Sequence, residues 1–76
     1  MTITIGRADD NFLAIQDADV SGHHCQLVCA NDRIDFYDLG SSNGSFINEQ
    51  PTKTGKINSG DQLRLGRSTK IFFDFK

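Results

Sequence analysis

Short runs that alternate between apolar and polar residues, separated by turn-forming clusters, are the feature that most limits the fold of this chain. No window of eleven residues repeats with the helical period of about 3.6. The alternating runs, each a strand signal, are residues 2–5, 12–15, 24–29, 33–39, 45–47, 62–65 and 70–75. Clusters rich in Gly, Asn, Asp, Ser and Pro, which favour turns, occupy residues 8–11, 30–32, 40–44, 48–51 and 58–61. About seven short strands predict an all-β sandwich or barrel.

The alternation also predicts which side chains share a face of each strand. Successive side chains of a strand point to opposite faces, so every second residue shares a face. The apolar sets predicted to share a face are Ile3 and Ile5; Cys25, Leu27 and Cys29; Ile34 and Phe36; Leu63 and Leu65; and Ile71, Phe73 and Phe75. With 76 residues, the chain has the length of one domain, predicted over residues 1–76.

Composition argues against several functional classes. The formal net charge is −2, and there is no basic stretch that could release counterions from nucleic acid. No apolar run approaches the roughly 20 residues of a membrane span, so membrane insertion is not expected. The start of the chain alternates like a strand and does not resemble a signal peptide.

The two cysteines indicate a reducing compartment. Cys25 and Cys29 belong to one predicted strand, where four residues span roughly 13 Å. A disulfide needs Cα atoms closer than about 7 Å, so no bridge between them is expected. Free thiols are typical of reducing compartments, and we expect the protein to be cytoplasmic.

Three predicted loops concentrate side chains that could hold an anion. Arg7 offers a planar, charged fork that matches two phosphate oxygens. Ser21 and Ser42 offer hydroxyl donors, and Asn43 offers both a donor and an acceptor, which suits a peptide backbone. Gly40 and Gly44 flank the third loop and permit positive φ, which brings backbone amides close to a ligand. Loops at one end of a rigid sandwich are a natural binding site.

Metal binding and catalysis are weaker interpretations of the same residues. His23 and His24 point to opposite faces of an extended strand, so one ion could not easily take both, and we expect neither a metal nor another cofactor. Ser21 and His24, with Asp38 to orient them, could form a nucleophile pair. Nothing in the sequence supplies a nucleophile elbow or an oxyanion hole, so we expect a binding protein and not an enzyme.

Four motifs, in this order and spacing, resemble the forkhead-associated (FHA) domain over nearly the whole chain. They are Gly6-Arg7, Val20-Ser21-Gly22-His23-His24, the run from Asp38 through Gly44 to Asn48, and Gly60-Asp61-Gln62-Leu63-Arg64-Leu65-Gly66. The resemblance implies a β-sandwich of short, mostly antiparallel strands with its ligand loops at one end. It also implies recognition of phosphothreonine in a partner protein, in kinase-linked signalling or regulated assembly.

The resemblance also implies a role for each matching residue. Arg7, Ser21 and Ser42 would bind the phosphate, and Asn43 and the backbone of Gly22 would bind the peptide beside it. By the same resemblance, the residues that shape or brace the loops would be Gly6, His24 and Gly44.

Three departures from the family pattern accompany this resemblance. Gly22 stands where the family usually has a polar side chain, and Ser45 replaces the more usual Thr. The chain also begins at the strand before Gly6, without the one or two earlier strands that are usual, which could leave a sheet edge open. We expect a trimmed sandwich, a homodimer that covers this edge, or a chain cut from a longer protein. The alternative function is a phosphate-independent FHA-like scaffold, as in some bacterial secretion systems.

Overall fold

The computed structural model describes residues 1–75, in which nine short strands form two sheets. The strands are β1 Thr2–Gly6, β2 Leu13–Ala14, β3 Cys25–Ala30, β4 Arg33–Asp38, β5 Ser45–Ile47, β6 Gln50–Pro51, β7 Thr54–Ile57, β8 Gln62–Leu65 and β9 Thr69–Phe72. The described part of the chain has no helix. The predicted all-β sandwich is therefore confirmed, and of the two architectures left open above the barrel is excluded.

The larger sheet has five strands in the order β2-β1-β3-β4-β7, and the smaller has four in the order β6-β5-β8-β9. Every neighbouring pair is antiparallel except β1 and β2, which are parallel. The predicted predominance of antiparallel pairing is thus confirmed. Within residues 1–75, no helix has the length and apolar character needed to span a bilayer.

The core lies between the sheets and consists mainly of residues from the apolar sets that were predicted to share a strand face. The fully buried hydrophobic side chains are Ile5, Val20, Cys25, Leu27, Phe36, Ile57, Leu63 and Leu65. Ile3, Cys29, Ile34, Ile71 and Phe73 pack against them, each partly buried. Full burial of one such aliphatic or aromatic side chain stabilises a fold by about 1.5–3 kcal/mol. The alternation of apolar and polar residues along the strands therefore determines which face of each sheet is buried.

The prediction was incomplete at two strands and too long at two others. Gln50 and Pro51 were predicted as part of a turn over residues 48–51 but form β6. The turn is confined to Asn48 and Glu49, whose φ values are 50° and 66°. Such a pair of positive φ values makes the tight hairpin turn that matches strand twist. β7 Thr54–Ile57 was not predicted, because its only buried hydrophobic side chain is that of Ile57.

The segments 12–15 and 70–75 were predicted as longer strands than the structure has. Only Leu13 and Ala14 pair with β1, and Phe12 is 68% exposed. β9 ends at Phe72, so Phe75 lies beyond the strand and is exposed. In both segments the apolar composition indicated a strand, but the hydrogen-bonded ladder covers fewer residues than the apolar run.

Both cysteines lie in β3, as predicted, and both are free. Cys25 is completely buried. Burial, together with the negative charge of nearby Asp38, raises the pKa of the Cys25 thiol to about 12. Because the thiolate is the reactive form, Cys25 is a packing residue and not a nucleophile.

Candidate functional site

Strand register brings the three predicted loops together at one end of the larger sheet. Ile5 of β1 pairs with Cys25 of β3, and Cys25 in turn pairs with Asp38 of β4. The loop after β1, the loop before β3 and the loop after β4 therefore leave the sheet side by side. We call this end the loop surface, defined by Arg7, Ser21, Gly22, Ser42 and Asn43.

Arg7 is the first residue after β1 and is exposed. Its backbone N–H donates to the carbonyl of Ser21 at 2.9 Å, which fixes the base of the side chain. The guanidinium forms no ion pair with any other residue in the described range 1–75. Its planar fork is therefore available to an anion that approaches the loop surface.

Gly6 is required because the backbone of the second loop lies directly against it. A Cβ at position 6 would lie 2.2 Å from the carbonyl oxygen of Gly22, closer than any real Cβ contact. Only glycine lets these two backbone segments approach each other this closely. The absence of a side chain at Gly6 thus sets the spacing between Arg7 and the Ser21 loop.

Ser21 links the second loop to the third. Its Oγ accepts a hydrogen bond from the backbone N–H of Ser42 at 3.0 Å. A hydroxyl that accepts such a bond retains its own proton for donation elsewhere. Ser21 is partly exposed, so that proton can be offered to a ligand at the surface.

His24 lies beneath the loop surface and joins the same two loops from below. It is completely buried. Its Nδ1 accepts the backbone N–H of Ser21 at 3.1 Å, and its Nε2 lies 3.0 Å from the carbonyl oxygen of Gly44. A carbonyl can only accept, so Nε2 carries the proton and the ring is neutral in this arrangement. His24 therefore supports the two loops from beneath and is not accessible at the loop surface.

Asp38 shapes the third loop from the end of β4. One carboxylate oxygen accepts the backbone N–H groups of Gly40 and Ser41, at 2.8 and 2.9 Å. The other accepts the hydroxyls of Ser41 and Ser45, each at 2.6 Å. Partial burial raises the pKa of Asp38, but these hydrogen bonds outweigh it and hold the pKa below its ordinary value. The charged carboxylate is therefore part of the loop structure.

The third loop turns through two glycines in the left-handed region. Gly40 has φ 79° and Gly44 has φ 88°, which side chains other than glycine rarely adopt. Between them, Ser42 and Asn43 are exposed. The Ser42 N–H is already donated to Ser21, so Ser42 can offer a ligand its hydroxyl but not its amide.

Asn43 has a structural contact that the sequence did not predict. Its Nδ2 donates to the backbone carbonyl of Asp19 at 2.9 Å, so the side chain ties the third loop to the second. The remaining Nδ2 proton and Oδ1 stay available for a peptide backbone, because Asn43 is exposed. Gly22 has no other atom within 4 Å of where a Cβ would be, so this part of the loop surface is open.

Two supporting roles in the site were not predicted from the sequence: Asp38 was considered only as the residue that would orient a Ser21–His24 pair, and Asp19 was not considered. Asp38 has a detectable signal, because an Asp two residues before a Gly commonly accepts the backbone N–H groups of its own turn. Asp19 contributes only its backbone carbonyl. Every residue has such a carbonyl, so no sequence pattern could have identified it.

The loop surface is an open face and not a cavity. One shallow cavity has walls from Arg33, Asp35, Tyr37 and Lys56 on β4 and β7, and none of the predicted site residues lines it. In residues 1–75, no group of three or more His, Cys, Asp or Glu side chains is placed to hold a metal ion. What the site offers is one exposed guanidinium, two hydroxyls and one side-chain amide.

Comparison with protein families identifies one match, the FHA domain, over residues 3–66. A curated relative is the oxoglutarate dehydrogenase inhibitor of Corynebacterium jeikeium, which is 27% identical over 73 residues. That match covers 96% of this chain and 51% of the relative, so the chain spans about half of the relative's length.

Solved structures match as well. A structure from work on phosphothreonine-dependent FHA domain interactions has a TM-score of 0.87 and 31% identity, and the match covers 92% of this chain and 73% of that one. EmbR of Mycobacterium tuberculosis, solved with a low-affinity phosphopeptide, has a TM-score of 0.78 and 33% identity. That match covers 83% of this chain and 17% of EmbR.

Proposed function

The chain belongs to the FHA domain family, and we propose that its loop surface binds phosphothreonine in a partner protein. The observation that carries the proposal is the convergence of Arg7 with Ser21 and Asn43, through loops joined to each other by hydrogen bonds. Solved FHA relatives include structures with a phosphopeptide or from work on phosphothreonine-dependent interactions. The class of ligand is inferred from these relatives, and the hydrogen-bond donors that such a ligand requires are present in this chain.

Arg7 and the two serines would hold the phosphate. A phosphothreonine carries about −1.5 to −2 charges at pH 7, and Arg7 can give it two parallel N–H donors. The hydroxyls of Ser21 and Ser42 lie on loops joined by the Ser42 N–H bond to Ser21, so both can serve one phosphate group. Hydrogen bonds to charged groups contribute about 1.5–3 kcal/mol each, which supports a micromolar dissociation constant, equivalent to about 8 kcal/mol.

Asn43 and Gly22 would hold the peptide backbone on either side of the phosphate. Asn43 retains a donor and an acceptor after its bond to Asp19. Gly22 offers open space without a side-chain contact, which supports modest affinity. Preference for phosphothreonine over phosphoserine would depend on burying one methyl group, worth about 0.8 kcal/mol or roughly fourfold in affinity.

The test is titration of isotopically labelled protein with a degenerate phosphothreonine peptide pool and with its unphosphorylated counterpart. We expect amide shifts at Arg7, Ser21 and Asn43 with the phosphorylated pool only, and at least tenfold weaker binding by Arg7→Ala. The matched control is Arg33→Ala, since Arg33 is an exposed arginine paired with Asp35 and is expected to leave binding unchanged.

Equal binding of the two pools would refute phosphothreonine recognition. Absence of binding at millimolar peptide would instead favour the phosphate-independent scaffold. A stable assembly formed without peptide, detected by light scattering, would then support that alternative.

Five further assignments accompany this proposal. The protein acts by binding and regulation, without catalysis of its own, and residues 1–76 form one domain of a cytoplasmic protein. The partner is a protein and not a nucleic acid. A second copy of the chain is a further partner, because β2 pairs with β1 only at Ile5 and Gly6 and the edge at Thr2 to Thr4 lacks a neighbouring strand within residues 1–75.

A further inference from the structure

The loop that carries Arg7 contains one buried polar side chain, that of Asn11. Asn11 is only 8% exposed, although Asp9, Asp10 and Phe12 around it are exposed. Buried amide groups in folded proteins almost always have hydrogen-bond partners, and the partners show what the group holds in place.

Both protons of the Asn11 amide are used, and they reach two different loops. Nδ2 donates to the carbonyl of Ala8 at 2.8 Å and to the carbonyl of Gly22 at 2.7 Å. The Gly22 carbonyl also accepts the backbone N–H of Ala8, at 3.1 Å. One nitrogen therefore joins the residue after Arg7 to the residue after Ser21.

The amide has only one workable orientation. Its Oδ1 is buried and has no hydrogen-bond partner in residues 1–75. In the reversed orientation, Oδ1 would face two carbonyl oxygens, and none of the three atoms could donate. The position therefore requires two donors on one atom, which neither an ionised Asp nor a Ser can provide.

Gly6 makes room for this contact. A Cβ at position 6 would lie 2.9 Å from the Asn11 Nδ2 as well as 2.2 Å from the Gly22 carbonyl oxygen. The amide thus occupies the space that the glycine leaves between the two loops.

We propose that Asn11 is a positioning residue for phosphate recognition, which holds the Arg7 loop in register with Ser21 and does not itself touch the ligand. The inference rests on the proposed function, because it assigns the position of Arg7 to a phosphate site. It predicts that loss of the Asn11 amide affects the Arg7 loop selectively and leaves the core intact.

The first measurement needs no ligand. Amide hydrogen exchange in the free 76-residue protein is compared between wild type, Asn11→Ala and the nearly isosteric Asn11→Asp. We expect the Arg7 and Ala8 amides to exchange at least tenfold faster in both variants, while amides of β8 keep their rates after correction for global stability. A purely global loss of stability would accelerate all protected amides together, as expected for the control Ile57→Val in the core. Unchanged rates at Arg7 and Ala8 relative to β8 would overturn the proposal.

The second measurement is affinity for the degenerate phosphothreonine peptide pool. We expect about tenfold weaker binding by Asn11→Ala and by Asn11→Asp, and no further loss when Asn11→Ala is added to Arg7→Ala, because Asn11 acts through Arg7. Asn31→Asp, in the exposed β3–β4 turn, controls for added negative charge.

Each remaining outcome decides a different question. Weaker binding by Asn11→Asp alone would mean that charge and not position is responsible, and losses that add fully to Arg7→Ala would mean that Asn11 acts elsewhere. Either result overturns the proposal. If wild type binds neither peptide pool, the proposed function fails, and the exchange rates still decide whether Asn11 holds the Arg7 loop.

Discussion

Replacement of His24 by alanine is expected to remove a large part of the stability of this domain. His24 is completely buried and joins the second loop to the third through Ser21 and Gly44. Its loss leaves the part-buried N–H of Ser21 and carbonyl of Gly44 without their partner, at about 1–3 kcal/mol each. Allowing for water that enters the vacated space, we expect a loss of about 2–4 kcal/mol from a total near 5 kcal/mol.

Two conservative variants of His24 separate the contributions of the two ring nitrogens. In His24→Asn the side-chain oxygen can still accept the Ser21 N–H, and in His24→Gln the side-chain N–H can still donate to Gly44. Each variant keeps one of the two bonds, so each is expected to lose about 1–2 kcal/mol. His23→Ala is the matched control, because His23 is exposed and, among residues 1–75, pairs only with Asp10, so its loss is expected to cost less than about 1 kcal/mol.

Urea unfolding followed by circular dichroism measures these differences through the midpoint and the slope. The reasoning would be refuted if His24→Ala lay within about 0.5 kcal/mol of wild type. It would also be refuted if the Asn and Gln variants were both as unstable as the Ala variant, since the shape of the imidazole and not its two hydrogen bonds would then be responsible.

Three further predictions concern neighbouring positions. Gly22→Arg is expected to fold normally and to bind phosphothreonine peptides up to tenfold more tightly in calorimetry, since position 22 has open space and the side chain adds a cation. Gly6→Ala is expected to unfold by circular dichroism or to lose peptide binding, because its Cβ would meet a carbonyl at 2.2 Å. Asp38 has a lowered pKa, so its stabilising effect is complete above its unfolded pKa of about 3.9 and is lost as pH falls through the lower folded value; in urea unfolding from pH 2 to pH 7, Asp38→Asn should show a flatter decline at acid pH than wild type.

The strands that the sequence identified are those whose alternation reflects burial on one face. In β8, Leu63 and Leu65 are buried and alternate with Gln62 and Arg64, which are partly exposed, so the local pattern contains the information. β7 has only one buried hydrophobic side chain, that of Ile57. This segment forms a strand because its backbone pairs with the edge of β4. Pairing with a distant strand leaves no local signal, which is why β7 could not be predicted.

The same distinction applies to the candidate site. The presence of Arg7, Ser21 and Asn43 in turn-forming loops is visible in the sequence, and their resemblance to one family made it specific. The contacts that set their geometry are different in kind, because the Ser42 N–H on Ser21 and the Asn43 amide on Asp19 join residues more than twenty positions apart. Such contacts involve backbone groups that every residue has, so only the fold can identify them.

Two of the residues proposed to touch the ligand, Ser21 and Asn43, therefore also hold the loops together. Ser21 accepts a bond from the third loop through its hydroxyl, and Asn43 donates one to the second loop. Because Ser21 Oγ already accepts the Ser42 N–H, its proton is directed away from that bond, and Asn43 likewise keeps one donor and one acceptor. Each side chain is thus oriented before a ligand arrives, and little conformational entropy remains to be lost on binding. A fold with short strands and modest stability can in this way present a well-ordered surface at a single end.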